Sequence, residues 1–478
     1  MESRYEQWID GSWCPADDGG TWDVVDPATE EVVKTVPFGG ESDCKRAIDA
    51  AERALPEWSA KTPYERAEVL KRAAEAMRAR AEQLAQVTVR EAGKPFVEAR
   101  GEWTVGADLF EWFAEEGKRA YGRTIPSRRA NKRMLVLKQP IGVVGVITAW
   151  NFPVYNPARA WAAALAAGCT VVARPSEFTP MTAMEMVNIL AEAGLPGGVL
   201  NLVNGDPGPM GQAMLDHPAC RKISFTGSVR VGRILMDGAS RTFTKLGLEL
   251  GGNAPVLVLP DVDPAEVARQ AAAARFRNCG QVCIAPQRFL VHEKVADQFT
   301  QSLVPLVKKL RVGPGLDSSS QVGPLINARQ RDRVAEMVAL ARDAGGNVLT
   351  GGQRPGHQAR GYFYEPTVVD AVQPGTPLFT DEIFGPVLPV TRFGDLDEAI
   401  RLANDTPYGL AAYVWTRDLR WAIRAYEGLE FGMVGVNEWS PHSTEAPFGG
   451  RKASGFGHES GPEGLAEYME TKLVGIGL

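Results

Sequence analysis

Between Gln139 and Leu257, short apolar runs alternate with amphipathic stretches of helical length. The runs fall at 143–147, 170–173, 199–203, 222–225 and 245–250. Helices are expected up to Ala167 and over 181–192, 210–215 and 231–239. Strands joined in this way pair in parallel, because a parallel neighbour needs a crossover long enough to hold a helix. The pattern calls for an α/β protein on a parallel sheet, with its ligand-binding loops at the carboxyl ends of the strands. Those loops read T-A-W-N-F-P (148–153), R-P-S-E (174–177), F-T-G-S (225–228) and L-E-L-G-G (248–252).

The flanking sequence is read in the same way. A hairpin about Asp10-Gly11 comes first, followed by short strands at 24–27 and 31–37. Residues 43–92, rich in Ala, Glu and Arg, predict two or more surface helices broken near 58–63, the second opening at Thr62-Pro63. A helix from 97 to about 121 carries Trp103, Phe110, Trp112 and Phe113 as core residues. A second alternating region runs from 254 to about 438, with helices at 264–277, 292–310, 328–344 and 396–404 and strands at 413–415 and 433–437. Glycine is too frequent over 447–457 for the interior of an element, and a short helix and a strand at 473–476 follow.

With 478 residues, 44% of them hydrophobic, the chain can build more than one core. A net charge of −6 and no marked Lys/Arg cluster speak against nucleic acid as a partner. The most basic run, 128–133, reads as a solvated turn. Residues 1–20 are polar and acidic, unlike a secretory leader, and no apolar run reaches bilayer-spanning length. The expected location is cytoplasmic, away from membranes, and six cysteines without close pairing suit a reducing compartment. Five scattered histidines lack metal-ligand spacing, so no metal is expected.

Residues 276–288, F-R-N-C-G-Q-V-C-I-A-P-Q-R, set Cys279 and Cys283 in a loop of small and polar residues. Such a thiol is a candidate nucleophile, although C-x-x-x-C by itself equally describes two unrelated cysteines. Glu249, between Leu248 and Leu250, is a carboxylate that desolvation would tune toward a general base, unless backbone N–H groups satisfy it. Asn151 is either a turn residue before Phe152-Pro153 or an amide donor for a reacting oxygen. Gly227 and Ser228, at a helix start, suit a phosphate or a plain cap.

In order along the chain stand W-N-F-P, P-S-E-x-T-P, F-T-G-S-x-x-x-G, L-E-L-G-G-N-A-P, G-Q-V-C, E-I-F-G-P-V (382–387) and P-F-G-G-x-K-x-S-G-x-G (447–457). Together they resemble the NAD(P)-dependent aldehyde dehydrogenase superfamily over essentially the whole chain. The resemblance implies Cys283 as nucleophile, Asn151 and the Cys283 backbone N–H as oxyanion donors, and Glu249 as general base. It matches Trp150, Arg174, Ser176, Glu177, Gly227, Ser228, Leu250, Glu382 and Phe384 to cofactor-contacting positions, Glu382 holding the nicotinamide ribose. Cys279 has no catalytic role in the family and is expected to pack.

The implied fold is a Rossmann-type cofactor domain (1–120 and 139–248), an α/β catalytic domain (249–440) and a small β bridging element (121–138 and 455–478). The bridging element would pair subunits as a homodimer or homotetramer. Arg159, Arg277 and Ser443 look like the residues with which succinate-semialdehyde dehydrogenases grip the substrate's far carboxylate. The competing reading is that one or both arginines pair with an internal Asp or Glu. Uncharged, hydroxy- and aromatic aldehydes are the alternative substrates. A non-catalytic scaffold of the same fold and a CoA-acylating enzyme are alternatives of other kinds, both disfavoured by Glu249 beside Cys283. Glu177 favours NAD, while Arg174 in place of the family's usual lysine leaves NADP open. Ala285 stands where some relatives carry a second cysteine, so no disulfide switch at Cys283 is expected. Residues 457–460, G-H-E-S, depart from the more usual G-R-E-G.

Overall fold

The computed structural model describes residues 5–478. The first sheet has eight strands, in the order Gly455–Phe456, Lys245–Glu249, Cys220–Thr226, Val143–Ile147, Thr170–Arg174, Leu200–Leu202, Gln7–Ile9 and Ser12–Cys14. Its five central strands are parallel, as the alternation demands. Every residue of Val143–Ile147 and Thr170–Arg174 is buried, because helices cover both faces and build a core on each. The hairpin Gln7–Ile9/Ser12–Cys14, with Trp8 opposite Trp13, adds to one edge antiparallel.

The second sheet runs Asn347–Thr350, Thr367–Asp370, Val387–Phe393, Pro286–His292, Ala254–Val258, Ala411–Trp415 and Met433–Val436, and holds the third core. Pro286–His292 and Val387–Phe393 fall outside the expected elements, since Pro286 and Pro389 weaken their strand signal. Both are central in the sheet.

A three-stranded antiparallel sheet joins Arg123–Ile125, Lys132–Pro140 and Met469–Gly477, within the two segments expected to bridge subunits and two residues beyond the first. Residues 455–468 lie outside this sheet. Gly455 and Phe456 instead pair with Glu249 and Leu248 on the first sheet. The helix Gly461–Ala466 packs against the helix Tyr155–Ala167. Glycine is required at 455, where φ is +115° and a Cβ would collide with the Leu248 carbonyl oxygen. No helix among the described residues is long and apolar enough to cross a membrane.

Candidate active site

Glu249 ends its strand, opposite Thr226 on one side and Gly455 on the other. Both its carboxylate oxygens are buried without a hydrogen-bond partner. Burial pushes its pKa well above the usual carboxylate range, and the Glu459 carboxylate adds to the rise while Arg159 opposes it. The two glycines that follow allow close approach. A Cβ on Gly252 would strike the Cys283 carbonyl oxygen, and the Gly252 N–H donates to Glu382 Oε1 at 3.0 Å. One short motif thereby gathers the Glu249 carboxylate, the Cys283 backbone and Glu382.

The helix Pro264–Phe276 gives way to three left-handed residues, Asn278 (φ 47°), Cys279 (φ 56°) and Gly280 (φ 71°). This turn buries Cys279 and leaves Cys283 half-buried. Such backbone is strained for non-glycine residues and must be held by its surroundings. Here the Asn278 N–H donates to Glu98 Oε2 (2.8 Å), and Asn278 Nδ2 donates to the carbonyls of Asn151 (3.0 Å) and Gln281 (3.2 Å). Burial pushes the Cys283 thiol up to about 12, with Arg159 opposing, so the thiol keeps its proton until a base removes it. All six cysteines are free.

Asn151 faces the same loop. Its Nδ2 donates to the Gln281 carbonyl at 3.1 Å, and its Oδ1 accepts from Asn156 Nδ2 at 3.2 Å. The amide is thereby oriented beside the nucleophile's turn, with one N–H still to give.

On the first sheet's side, the Trp150 and Phe384 rings meet edge to face at 5.4 Å. Ser228 caps the helix Val229–Thr242 by accepting from the Val231 N–H at 3.4 Å, while the Gly227 N–H is occupied by the Glu249 carbonyl. Leu250 packs over Gly232, and buried Ser176 accepts from the Phe178 N–H at 3.4 Å. Arg174 donates through Nε and Nη2 to the Gly205 carbonyl (3.1 and 2.8 Å) and through Nη2 to Glu177 Oε2 (2.7 Å). Glu382 keeps Oε2 clear of protein donors, an acceptor suited to a ribose hydroxyl, and the set fits a dinucleotide.

The two arginines differ. Arg159, 2% exposed, stands with Nε 2.8 Å from Glu459 Oε2 and donates to Asn156 Oδ1 at 3.1 Å, so it does pair internally. Its Nη1 is nevertheless buried without a partner. Arg277 makes no salt bridge among the described residues, although the Glu98 carboxylate acts on it from a distance, and it lies 5.2 Å from the Phe152 ring centroid. Ser443 is exposed, and its hydroxyl turns to Glu445. Its neighbour His442 points inward instead, its ring 6.1 Å from Tyr155 and 5.9 Å from Phe448. These two rings also flank the Arg159 guanidinium, at 4.7 and 4.2 Å. Burial and then Arg277 and Arg159 lower the His442 pKa to about 4. His442, Glu459, Lys94 and Glu102 were missed in the sequence. Only the G-H-E-S departure marked the neighbourhood of one of them.

A thiol with a carboxylate and an oriented amide near it suits attack on a carbonyl carbon, and the free oxygen of Glu382 suits a dinucleotide, the group that would accept a hydride. That combination suits a nicotinamide-dependent dehydrogenase. The chain belongs to the aldehyde dehydrogenase family, whose model matches residues 13–474. It is 43% identical over 475 residues to the succinate-semialdehyde dehydrogenase [NADP(+)] of Escherichia coli, covering 99% of this chain and 98% of that one. It is 42% identical over 473 residues to the glutarate-semialdehyde dehydrogenase of Pseudomonas putida, with coverage of 99% and 98%. The crystal structure of succinate-semialdehyde dehydrogenase from Burkholderia pseudomallei matches with a TM-score of 0.97 at 44% identity, over 99% of this chain and 98% of that one. The protein is an NAD(P)-dependent aldehyde dehydrogenase.

Proposed function

We propose that the enzyme oxidises a short aldehyde with a carboxylate at its far end, of the succinate- or glutarate-semialdehyde type, to the dicarboxylate. The buried Nη1 of Arg159 carries this reading, because it has no partner in the protein and a ligand carboxylate would supply the acceptor that a buried donor needs. Arg277, which forms no salt bridge among the described residues, supplies a second guanidinium, and the guanidinium fork matches a carboxylate bidentately.

Cys283 gives up its proton to solvent and its thiolate attacks the aldehyde carbon. The oxygen of the tetrahedral adduct accepts from Asn151 Nδ2 and from the Cys283 backbone N–H. NAD(P)+, when bound against Glu382, Trp150, Phe384 and the Arg174–Glu177 pair, supplies the hydride acceptor. With the hydride gone, Cys283 carries a thioester. Glu249 takes a proton from water as that water attacks the thioester carbon, and the carboxylate product leaves with the thiol restored. Glu177, held beside the arginine, favours NAD by repelling a 2′-phosphate. Exposed Leu137, Leu473 and Ile476 on the bridging sheet favour a homodimer or homotetramer.

The test is NADH formation across an aldehyde panel for the wild type and Arg277→Ala. Succinate and glutarate semialdehydes are expected to exceed butanal and benzaldehyde in kcat/KM by about 100-fold or more, and to lose that lead in the variant. Equal rates with butanal or benzaldehyde in the wild type would overturn the substrate class.

A further inference from the structure

We infer that the buried ion pair Lys94–Glu102 is a positioning device that aims the Asn151 amide and ties it to the nucleophile's loop. This rests on the oxyanion role proposed above for Asn151.

Lys94 lies just before the helix Phe96–Glu116, with Glu98 and Glu102 four and eight residues further on, a spacing that sets all three on one side. Lys94 Nζ stands 2.5 Å from Glu102 Oε2, donates to the Asn151 carbonyl at 2.8 Å and lies 4.3 Å from the Phe152 ring centroid. The other oxygen of Glu102 accepts from the N–H groups of Val154 (2.8 Å) and Tyr155 (3.0 Å). The pair therefore grips the W-N-F-P turn from both ends, by the carbonyl of its asparagine and by the first amides of the helix that follows.

The nucleophile's turn is bound to the same point. Asn278 Nδ2 is the second donor on the Asn151 carbonyl, and Glu98 holds the Asn278 N–H. The Asn151 carbonyl is thus the junction of two loops, one carrying the oxyanion amide and the other leading to Cys283. Lys94 and Glu102 are 2% and 6% exposed. A pair so deeply buried is weak as a source of stability, and two apolar side chains would fill the space at less desolvation cost. Its contacts account for it better, since they fix polar backbone atoms whose placement the reaction needs. A displacement of about 1 Å at a reacting group reduces rates by about 100-fold.

The experiment is a double-mutant cycle between Lys94→Met and Asn151→Ala. It is read as the single-turnover NADH burst, with the fastest aldehyde of the panel and saturating NAD. Lys94→Met is expected to slow the burst about 100-fold, with the aldehyde KM, the NAD dissociation constant and iodoacetamide alkylation of Cys283 changed less than about threefold. In the Asn151→Ala background the same substitution should slow the burst by less than about threefold, because the amide it positions is gone. Lys94→Arg should recover part of the rate. Equal penalties in the two backgrounds, or an unchanged burst in Lys94→Met, would overturn the inference. If Lys94→Met does not fold, Asn278→Gly keeps the positive φ and removes the second donor on the Asn151 carbonyl. It is expected to slow the burst about tenfold and to be absorbed by Asn151→Ala in the same way, additivity again being fatal. An unchanged burst in Asn151→Ala alone would show that the oxyanion assignment itself had failed, taking the inference with it.

Discussion

Arg159 Nε lies 2.8 Å from Glu459 Oε2, and both side chains are buried close to Glu249. Neither atom completes a hydrogen bond, so the contact is an electrostatic one between full charges. Glu459 has two effects on the site. It neutralises Arg159, and as a like charge it helps burial keep the Glu249 pKa high.

Glu459→Gln therefore changes two quantities in known directions. The Glu249 pKa falls, because a like charge is lost and Arg159 is left uncompensated. Where thioester hydrolysis limits turnover, the acid limb of kcat against pH should move to lower pH. Stability should fall by about 3 kcal/mol in a urea titration, since breaking a buried pair strands a charge. An acid limb that stays in place would separate Glu459 from the base.

Cofactor choice turns on Arg174 and Glu177. The carboxylate and the Gly205 carbonyl occupy the guanidinium, at 2.7 and 2.8 Å from Nη2. Glu177→Ser removes the charge that repels a 2′-phosphate and frees an arginine N–H to bind it. The ratio of kcat/KM for NADP over NAD should rise tenfold or more, about 1.4 kcal/mol. An unchanged ratio would mean that Glu177 is not the selector.

Burial raises Glu382 to about 7, against the pull of the Gly252 N–H and Arg333. Below that pH the group is neutral and a poorer acceptor for a ribose hydroxyl, so NAD should bind more weakly as pH falls from 8 to 6. Glu382→Gln should bind NAD about tenfold more weakly at pH 8 and show no slope across this range. Tryptophan quenching by NAD at each pH reads both, and an equal slope in the variant would assign the titration elsewhere.

The parts of the site that could be read in the sequence are those whose signal is local. Asn151, Glu249 and Cys283 each sit in a short motif where a glycine, a proline or a strand end constrains the neighbours. Val143–Ile147 and Lys245–Glu249 showed their strand character within five residues. What could not be read joins distant residues. Arg159 meets Glu459 three hundred positions away, and Lys94 meets Asn151 across fifty-seven. A single lysine or glutamate has no period and no fixed neighbour to announce a buried partner. The exchange of Ser443 for His442 has another cause. The loop between Val436 and Phe448 is irregular, so no alternation tells which of two adjacent side chains points inward. Gly455 was counted with the bridging element because its requirement is a collision with Leu248, which lies on another strand.

His442 provides the last prediction. Its ring packs against Tyr155 and Phe448, with Ser440 Oγ 3.5 Å from Nδ1, and Arg277 and Arg159 are the charged groups that face it, Glu459 lying behind the latter. The folded pKa of about 4 lies below the ordinary value of 6.5, so between these values the unfolded chain binds the extra proton. The contribution of His442 to stability is full above pH 6.5 and is lost as pH falls toward 4. A carboxylate bound between the arginines reverses this, since it offsets their charge and draws the imidazole toward protonation. Below about pH 6, semialdehyde binding should take up a proton, and KM for the semialdehyde should fall relative to KM for butanal. His442→Phe keeps the ring packing and removes the titration. It should raise the semialdehyde KM about tenfold, leave butanal within about twofold, and flatten urea-monitored stability between pH 7 and 5 relative to the wild type. A variant that raises both KM values alike would make His442 a packing residue and nothing more.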